Sequence, residues 1–469
     1  MENDKLSRRD FIRVGILTGA GMALAACAPK VVTETVKETV KETVVVEGTP
    51  EVVEKIVTAT PPPPELVTIK FTSNEDLAIY DPIVPDLIKE RGLNVNLEMD
   101  RTVEPGGWAA YCDNVITRIA GGDVLDLIHM AVNGMFTLAG KGVIRPLDPF
   151  LEADTAFKKD VDEDIHEGLL RMLQWQGKQY ALPGDWNNVI FHYNYKIFEE
   201  KGVPEPTFDW TWDDFLEASL AIADVQGTDD DMYAYSWYNW TGGMDPWFFN
   251  NDTSVVTDDW LDSNMLDPKV AETLQFMADL ILVHKVAPVP GAWDEYGQFM
   301  AGHQGMRSCG GWCIGMYKDN EFWDFKFAYP PSNRGGPIKT DVGTAGETLT
   351  TMSRHPEEAW EVLKLFNGPE VQTSFLELYG SLQSRRSVVD TDTFRNLPGE
   401  SPADMSIFFE SLDYAKRVVT PPNFTIIEPL LARWWEQIWA GDLGVEEAVQ
   451  GCHEELQAEM DRMKEELGL

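Results

Sequence analysis

The sequence predicts an α/β protein of two domains, set behind an N-terminal address and a spacer. Three observations predict it. Residues 66–130 alternate strand, helix, strand, helix and strand patterns. About 400 residues follow the spacer, too many for one compact core. The first 65 residues contain nothing that could fill a core beyond one short apolar run.

That run lies in "SRRDFIRVGILTGAGMALAAC", residues 7–27. From Val14 to Ala26 it is 13 residues long, about 20 Å as a helix against the roughly 30 Å of a bilayer core. Its basic leading end marks a signal peptide. Ser7, Arg8, Arg9, Phe11 and Arg13 resemble the twin-arginine export motif, a receptor-read address. Leu24-Ala25-Ala26-Cys27 looks like a bacterial lipobox, whose cysteine is acylated at the thiol. Residues 1–26 are therefore expected to be removed. The mature chain would begin at lipidated Cys27, anchored outside the cytoplasm and touching the membrane through its lipid alone.

Residues 27–65 read as a flexible tether. They repeat "TVKE"-like units, lack aromatic residues and end in Pro61 to Pro64. As a coil, the 38 residues after Cys27 span roughly 35 Å, enough to clear lipid headgroups.

The formal net charge is −40. Removing residues 1–26 takes away four basic and three acidic side chains and leaves −41. Such a surface repels nucleic acid and anionic lipid, and neither is expected as a partner. Four cysteines remain after Cys27: Cys112, Cys309, Cys313 and Cys452. Cys309-Gly-Gly-Trp-Cys313 has the wrong spacing for a redox CxxC motif, and no histidine nearby completes a zinc site. A local disulfide and two packed thiols are both open readings. The sequence calls for no cofactor and no metal.

Within the first domain, "LVTIKFTSN" (66–74) reads as a buried strand and Glu75 to Arg91 as helix, with Pro82 and Pro85 early in it. "NVNLEMD" alternates like a strand, Trp108 to Ala120 reads as helix, and "VLDLIHM" (124–130) is a strand again. This order implies a parallel sheet with its ligand crevice beyond the strands' carboxyl ends, near residues 74–76, Asp100 and residues 131–133. Further on, Thr211-Trp212-Asp213-Asp214 is a capping box that opens a helix. Pro356 starts another, with Gly368 expected to end it. Residues 445–467 carry Val445, Val449, Cys452, Leu456, Met463 and Leu467 on one face, the pattern of a helix docked on its own domain.

Sixteen tryptophans exceed thirteen tyrosines, and they cluster. "YAYSWYNWTGGMDPWFF" (233–249) holds eight aromatics in seventeen positions, alternating with Asn, Ser, Asp and Gly. Flat rings edged by amides and carboxylates suit a sugar, which offers a C–H face for stacking and hydroxyls for polar side chains.

The order of features resembles the family 1 extracellular solute-binding proteins of ABC importers, the maltose-binding-protein-like group. "GKQYALPGDWNNVIFHYNYKIFEEKGVPEPTFDWTWDDFLEA" is similar to that family's crossover segment. "FMAGHQGMRSCGGWCIGMY" (299–317) is similar to its strand running into a Gly-Trp turn, and "TAGETLTTMSRHPEEAWEVLKLF" to its return crossover. "SLQSRRSV" and "IWAGDLGVEEAV" complete the pattern, which covers most of residues 66–469.

The resemblance implies a two-lobe, periplasmic-binding-protein-like fold of type II. Each lobe would be a sheet flanked by helices, with the ligand cleft between them. Lobe 1 would take residues 66–182 and about 330–385, and lobe 2 about 183–329 and 386–469. It also implies a monomer that captures a mono- or oligosaccharide and hands it to the permease subunits of an ABC importer. Trp312 falls where the family commonly stacks a pyranose. Asp185 and Trp186 lie past the first crossover, Tyr238 and Trp240 in a segment that often lines the sugar site, and Glu347 in the return segment. Asn74, Glu75 and Asp76 follow the first strand, and Trp108 is a further candidate.

Rival readings are the same fold holding a polyol or other small polar solute, and a surface-anchored glycoside hydrolase or lyase. No nucleophile elbow, HExxH motif or Gly-rich phosphate loop supports an enzyme. Sugar phosphate is disfavoured because only Arg307, Arg334 and Arg385 lie near candidate cleft segments.

Overall fold

A computed structural model of the chain describes residues 37–44, 51–58 and 66–469, the last with gaps at 76, 78–79, 82, 103–106, 229–230 and 336–337. The signal peptide, Cys27 and Asp76 lie outside the described residues. In the N-terminal unit, β1 (Lys37–Val44) pairs antiparallel with β2 (Glu51–Thr58), in register from Lys37↔Thr58 to Val44↔Glu51. The expected coil therefore gives way here to a hairpin. Its physical cause is the density of Val, Ile and Thr, whose branched side chains favour extended backbone.

Leu66–Leu469 forms the second unit. Its first sheet begins with β3 (Val67–Ser73), β4 (Val95–Arg101) and β5 (Leu127–Ala131), with β3 parallel to both neighbours, as the sequence predicts. The first helix is shorter than expected, Val84–Glu90, with Pro85 in its opening turn. A proline tolerates only that turn, so the helix starts there rather than at Glu75. The helix Gly107–Ala120 follows β4. A small hairpin of β6 (Gln174–Trp175) and β7 (Lys178–Gln179) precedes β8 (Leu182–Asn187).

The chain then crosses to a second sheet built from β9 (Ile190–Asn194), β10 (Tyr233–Ser236), β11 (Gln304–Cys309) and β12 (Phe325–Ala328), in the order β10-β11-β9-β12. It returns through β13 (Thr340–Leu349), which pairs with both β5 and β8. The first sheet is completed by β14 (Leu382–Gln383) on β8 and β15 (Ala415–Arg417) on β13.

Every residue of β5 is buried, because helices cover both faces of this sheet. Leu127 joins one hydrophobic core and Ile128 the other, the alternation a strand imposes. A third core, around the second sheet, takes Trp210, Trp212, Trp237, Trp247, Trp435 and Trp439. Most of the 233–249 aromatics are therefore core. Phe191 stacks on Tyr235 at 5.0 Å, and Trp247 Nε1 donates to Tyr235 Oη at 3.0 Å.

The stretch from Val388 to Phe408, expected with the second lobe, packs into the first sheet's core instead. The changeover comes between Val418 and Val419. Short helices there pack on the first sheet between β14, which pairs with β8, and β15, which pairs with β13, long-range pairings invisible in local periodicity. The C-terminal helix Val445–Leu467 buries Val445, Val449, Cys452, Leu456 and Met463 against its own domain. The capping box at Thr211 and Asp214 forms as read. Gly368 does not end its helix. Asn367 caps it, and Gly368, in extended backbone, opens the next one at Pro369.

Three connections run between the sheets, each tied by a buried polar side chain. The Val189 amide donates to Asp341 Oδ1 at 2.7 Å, and the Val419 amide to Asp245 Oδ2 at 2.8 Å. Asn250 holds Lys339 from both sides, accepting from its amide at 2.9 Å and donating to its carbonyl at 2.6 Å. Burial pushes Asp245 up to about 8, with the amide bond pulling against it. An acid raised on folding contributes stability that is complete below its unfolded value, near 3.8, and is lost as pH rises through the folded one. Between pH 5 and pH 8 the protein is therefore expected to lose stability relative to Asp245→Asn, which keeps an acceptor oxygen and does not ionise. Thermal unfolding of both at the two pH values checks this; parallel changes would refute it.

Candidate functional site

The carboxyl ends of β3 and β5, the end of β8, the start of β13 and two loops of the second sheet converge on a cavity of about 670 Å³. From the first sheet come Glu75 after β3, Trp108 on the first turn of its helix, and Asn133 after β5. The crossover supplies Asp185, Trp186, Asn187 and Asn188, and β13 supplies Asp341, Thr344 and Ala345. Tyr238 and Trp240, following β10, close the far side with Tyr296 and Trp312.

Trp312 begins the helix Trp312–Asp319 directly after β11 and a Gly310-Gly311 turn. A Cβ on Gly310 would fall 2.0 Å from the Trp312 ring, so only glycine lets the indole fold back over the turn. Cys309 and Cys313 form a disulfide across it, with Cα atoms 6.4 Å apart, which resolves the open reading. Tyr238 and Tyr296 face each other at 5.3 Å, and the buried Arg307 guanidinium lies 3.9 Å from the Tyr296 ring centroid. Asn239 accepts from Trp439 Nε1 at 2.8 Å and donates to the Ala432 carbonyl at 3.1 Å, which pins the Tyr238–Trp240 segment to the helix Phe424–Trp439.

Burial pushes Asp185 up to about 7, reinforced by the charges of Glu75 and Glu347 and opposed by His129. Asp341, buried among the same walls, is also pushed well above the usual carboxylate range. Three oxygen atoms on the lining are enclosed and have no hydrogen-bond partner: Asp185 Oδ1, Asn187 Oδ1 and Asn188 Oδ1. A polar ligand that donates hydrogen bonds would satisfy them; left alone, each costs about 1–3 kcal/mol.

Of the sequence-predicted residues, Glu75, Trp108, Asp185, Trp186, Tyr238, Trp240 and Trp312 stand together around this cavity. Trp186 contributes little face to it. The ring is 1% exposed, its Nε1 donates to the Gln383 carbonyl at 3.1 Å, and Phe409 packs edge-on at 5.5 Å. Glu347 does not line the cavity. It lies past a bulge in β13 at Ala345/Gly346, buried 3.0 Å from His129 Nδ1, with Tyr80 Oη donating to it at 3.4 Å. A bulge re-aims the residues beyond it, which a sequence does not announce. Asn74 is half-buried and stands off the lining.

Arg385 lies elsewhere in the fold, paired with Asp160 at 2.8 Å and Asp164 at 3.0 Å. Residues 131–133 were legible as a strand end, and Asn187 and Asn188 adjoin Asp185 in the crossover. Nothing local points to Tyr296, Asp341 or Ser381. Among the described residues no group of histidine, cysteine and acidic side chains could hold a metal ion, and no helix is long and apolar enough to cross a membrane.

The model of the bacterial extracellular solute-binding protein family matches residues 72–373. The arabinooligosaccharide-binding protein of Halalkalibacterium halodurans is 28% identical over 204 residues, 40% of this chain and 43% of that one. The erythritol/L-threitol-binding protein of Mycolicibacterium smegmatis is 22% identical over 378 residues, 73% and 75% of the two chains. Among solved structures, an ABC substrate-binding protein of Listeria monocytogenes in complex with cycloalternan superposes with a TM-score of 0.73, at 20% identity, over 86% of this chain and 100% of that one. Maltose-bound MalE3 of T. maritima gives 0.69 at 17% identity, over 83% and 99%. The architecture is thus the two-lobe one of periplasmic sugar-binding proteins, and the chain belongs to the bacterial extracellular solute-binding protein family.

Proposed function

We propose that this protein captures a carbohydrate in the cleft and delivers it to the permease of an ABC-type importer, held at the outer face of the membrane by a lipid on Cys27. One observation carries the reading. Indole and phenol rings of Trp108, Tyr238, Trp240 and Trp312 share one cavity with Asp185, Asn187 and Asn188, each of which holds an enclosed oxygen without a partner. Rings take the C–H faces of a sugar, and acceptors take its hydroxyl donors. The relatives support it, since their names record binding of an arabinooligosaccharide and of a polyol, and structural neighbours hold cycloalternan and maltose. The Cys309–Cys313 disulfide supports an address outside the cytoplasm.

Binding would shift an open–closed equilibrium by the difference in affinity for the two states. Intrinsic tryptophan fluorescence, titrated with mono- and oligosaccharides, polyols and peptides, tests the function. A saturable change with a saccharide, and intact saccharide recovered, supports it; a response to peptides alone refutes it. Trp312→Ala is expected to weaken binding of the responding saccharide about tenfold, from lost stacking and lost apolar contact. Unchanged affinity would remove Trp312 from the site.

A further inference from the structure

Among the described residues every charged side chain on the cleft lining is a carboxylate. Glu75, Asp185 and Asp341 face the cavity already described. Asp113 and Glu428 face an adjoining one of about 490 Å³, which shares Gly107, Trp108, Asn133, Asn239 and Trp240 with it. No lysine, arginine or histidine lines either cavity among the described residues.

The cations behind the walls, Arg307 and His129, are buried and line neither cavity, and Arg307 Nε and Nη2 and His129 Nε2 have no hydrogen-bond partner among the described residues. Arg307 is sealed beneath Tyr296 and donates Nη1 to the Glu295 carbonyl at 3.0 Å. His129 is held by Glu347 at 3.0 Å. None of the five lining carboxylates is in an ion pair among the described residues.

A second observation is independent of charge. Asn188, a residue of the lining, is 1% exposed, and its Oδ1 is enclosed without a partner. Its amide nitrogen is committed to Ser411 Oγ, which in turn donates to the Phe408 carbonyl, so the orphan atom is the oxygen. All three enclosed, unpartnered atoms on the lining are acceptors. A hydroxyl brings one donor and two lone pairs, whereas an ammonium brings three donors and no acceptor. An ammonium also gains from the faces of neighbouring aromatic rings, which a neutral hydroxyl does not.

We propose that the cleft selects an amino sugar, a saccharide whose free, protonated amine sits among Glu75, Asp185 and Asn188 while its ring is held by the cleft's indoles. This rests on the carbohydrate reading above and deepens it. Asp185 is pushed up to about 7 by burial and by Glu75 and Glu347, with His129 opposing, and Tyr80 is a further titratable group of that wall. A bound ammonium relieves that repulsion and draws Asp185 into its ionised form. Binding then tightens with rising pH as Asp185 ionises, and weakens again where the ligand amine loses its proton.

The test is calorimetric titration of the full chain with matched sugars. Glucosamine, galactosamine and mannosamine are each compared with the parent hexose and the N-acetyl derivative, and β-1,4-linked dimers and trimers of glucosamine with cello- and N-acetyl counterparts. At least one free amine is expected to bind ten or more times more tightly than both of its neutral partners. That preference is expected to shrink with added salt and to fall most of the way to unity in Asp185→Asn, with thermal unfolding confirming that the variant is folded. A neutral sugar that binds as tightly as its amine, or an unchanged preference in Asp185→Asn, overturns the proposal and leaves the carbohydrate reading standing. Binding of choline or spermidine in preference to every saccharide, or no saccharide binding at all, overturns both.

Discussion

Trp186→Ala is expected to lower the free energy of unfolding by about 3–5 kcal/mol, the cost of emptying a large buried aromatic site. The indole is 1% exposed, in the middle of β8, between Thr344 of β13 and Leu382 of β14. Its removal also strands the Gln383 carbonyl that accepts from Nε1. Trp312→Ala, at a half-exposed helix start, is expected to cost much less stability while acting directly on binding. Urea unfolding distinguishes them, with the midpoint falling and the slope held constant for Trp186→Ala. Comparable stability losses in the two variants would contradict the division of one residue to the core and the other to the cleft.

Gly346→Ala is expected to cost about 3 kcal/mol or more through overpacking that nothing can relieve. A Cβ there would fall 1.8 Å from the Leu182 carbonyl oxygen, 2.8 Å from its carbon and 3.0 Å from the Gly184 nitrogen. All three are backbone atoms, so no rotamer change makes room. The substitution would part β13 from β8 beside Asp185 and Ala345, and loss of ligand binding should accompany the loss of stability. Gly343→Ala, three residues earlier on the same strand, is the control. Its Cβ would meet Val418 Cγ1 at 3.5 Å and Val132 Cγ1 at 3.7 Å, ordinary contact distances. It is expected to change stability by less than about 1 kcal/mol. Equal effects at the two positions would mean that the strands are not this close.

The readable parts of the fold were those governed by short-range rules. Alternation located β4, short apolar runs located β3 and β5, and the capping box located the helix after Thr211. The crevice beyond the first strands was legible because parallel strands with crossover helices leave their carboxyl ends open. Helix ends were less legible. Pro85 moved one start to Val84, and Gly368 turned out to open a helix rather than close one.

Asp185 and Trp312 were reached through the family resemblance. By itself the sequence determined the α/β class, the parallel opening sheet and the crevice beyond residues 74–76 and 131–133. These follow from residue identity and near-neighbour spacing, which act within a few positions of the chain. The tertiary structure alone decided that Trp240 faces the cleft while Trp237 is buried, that Glu347 turns inward to His129, and that Tyr296 joins Tyr238 across about sixty residues of chain. Each of those outcomes depends on which side of a strand meets water after distant segments pair. One residue of register or one bulge reverses it, and no local pattern carries that information.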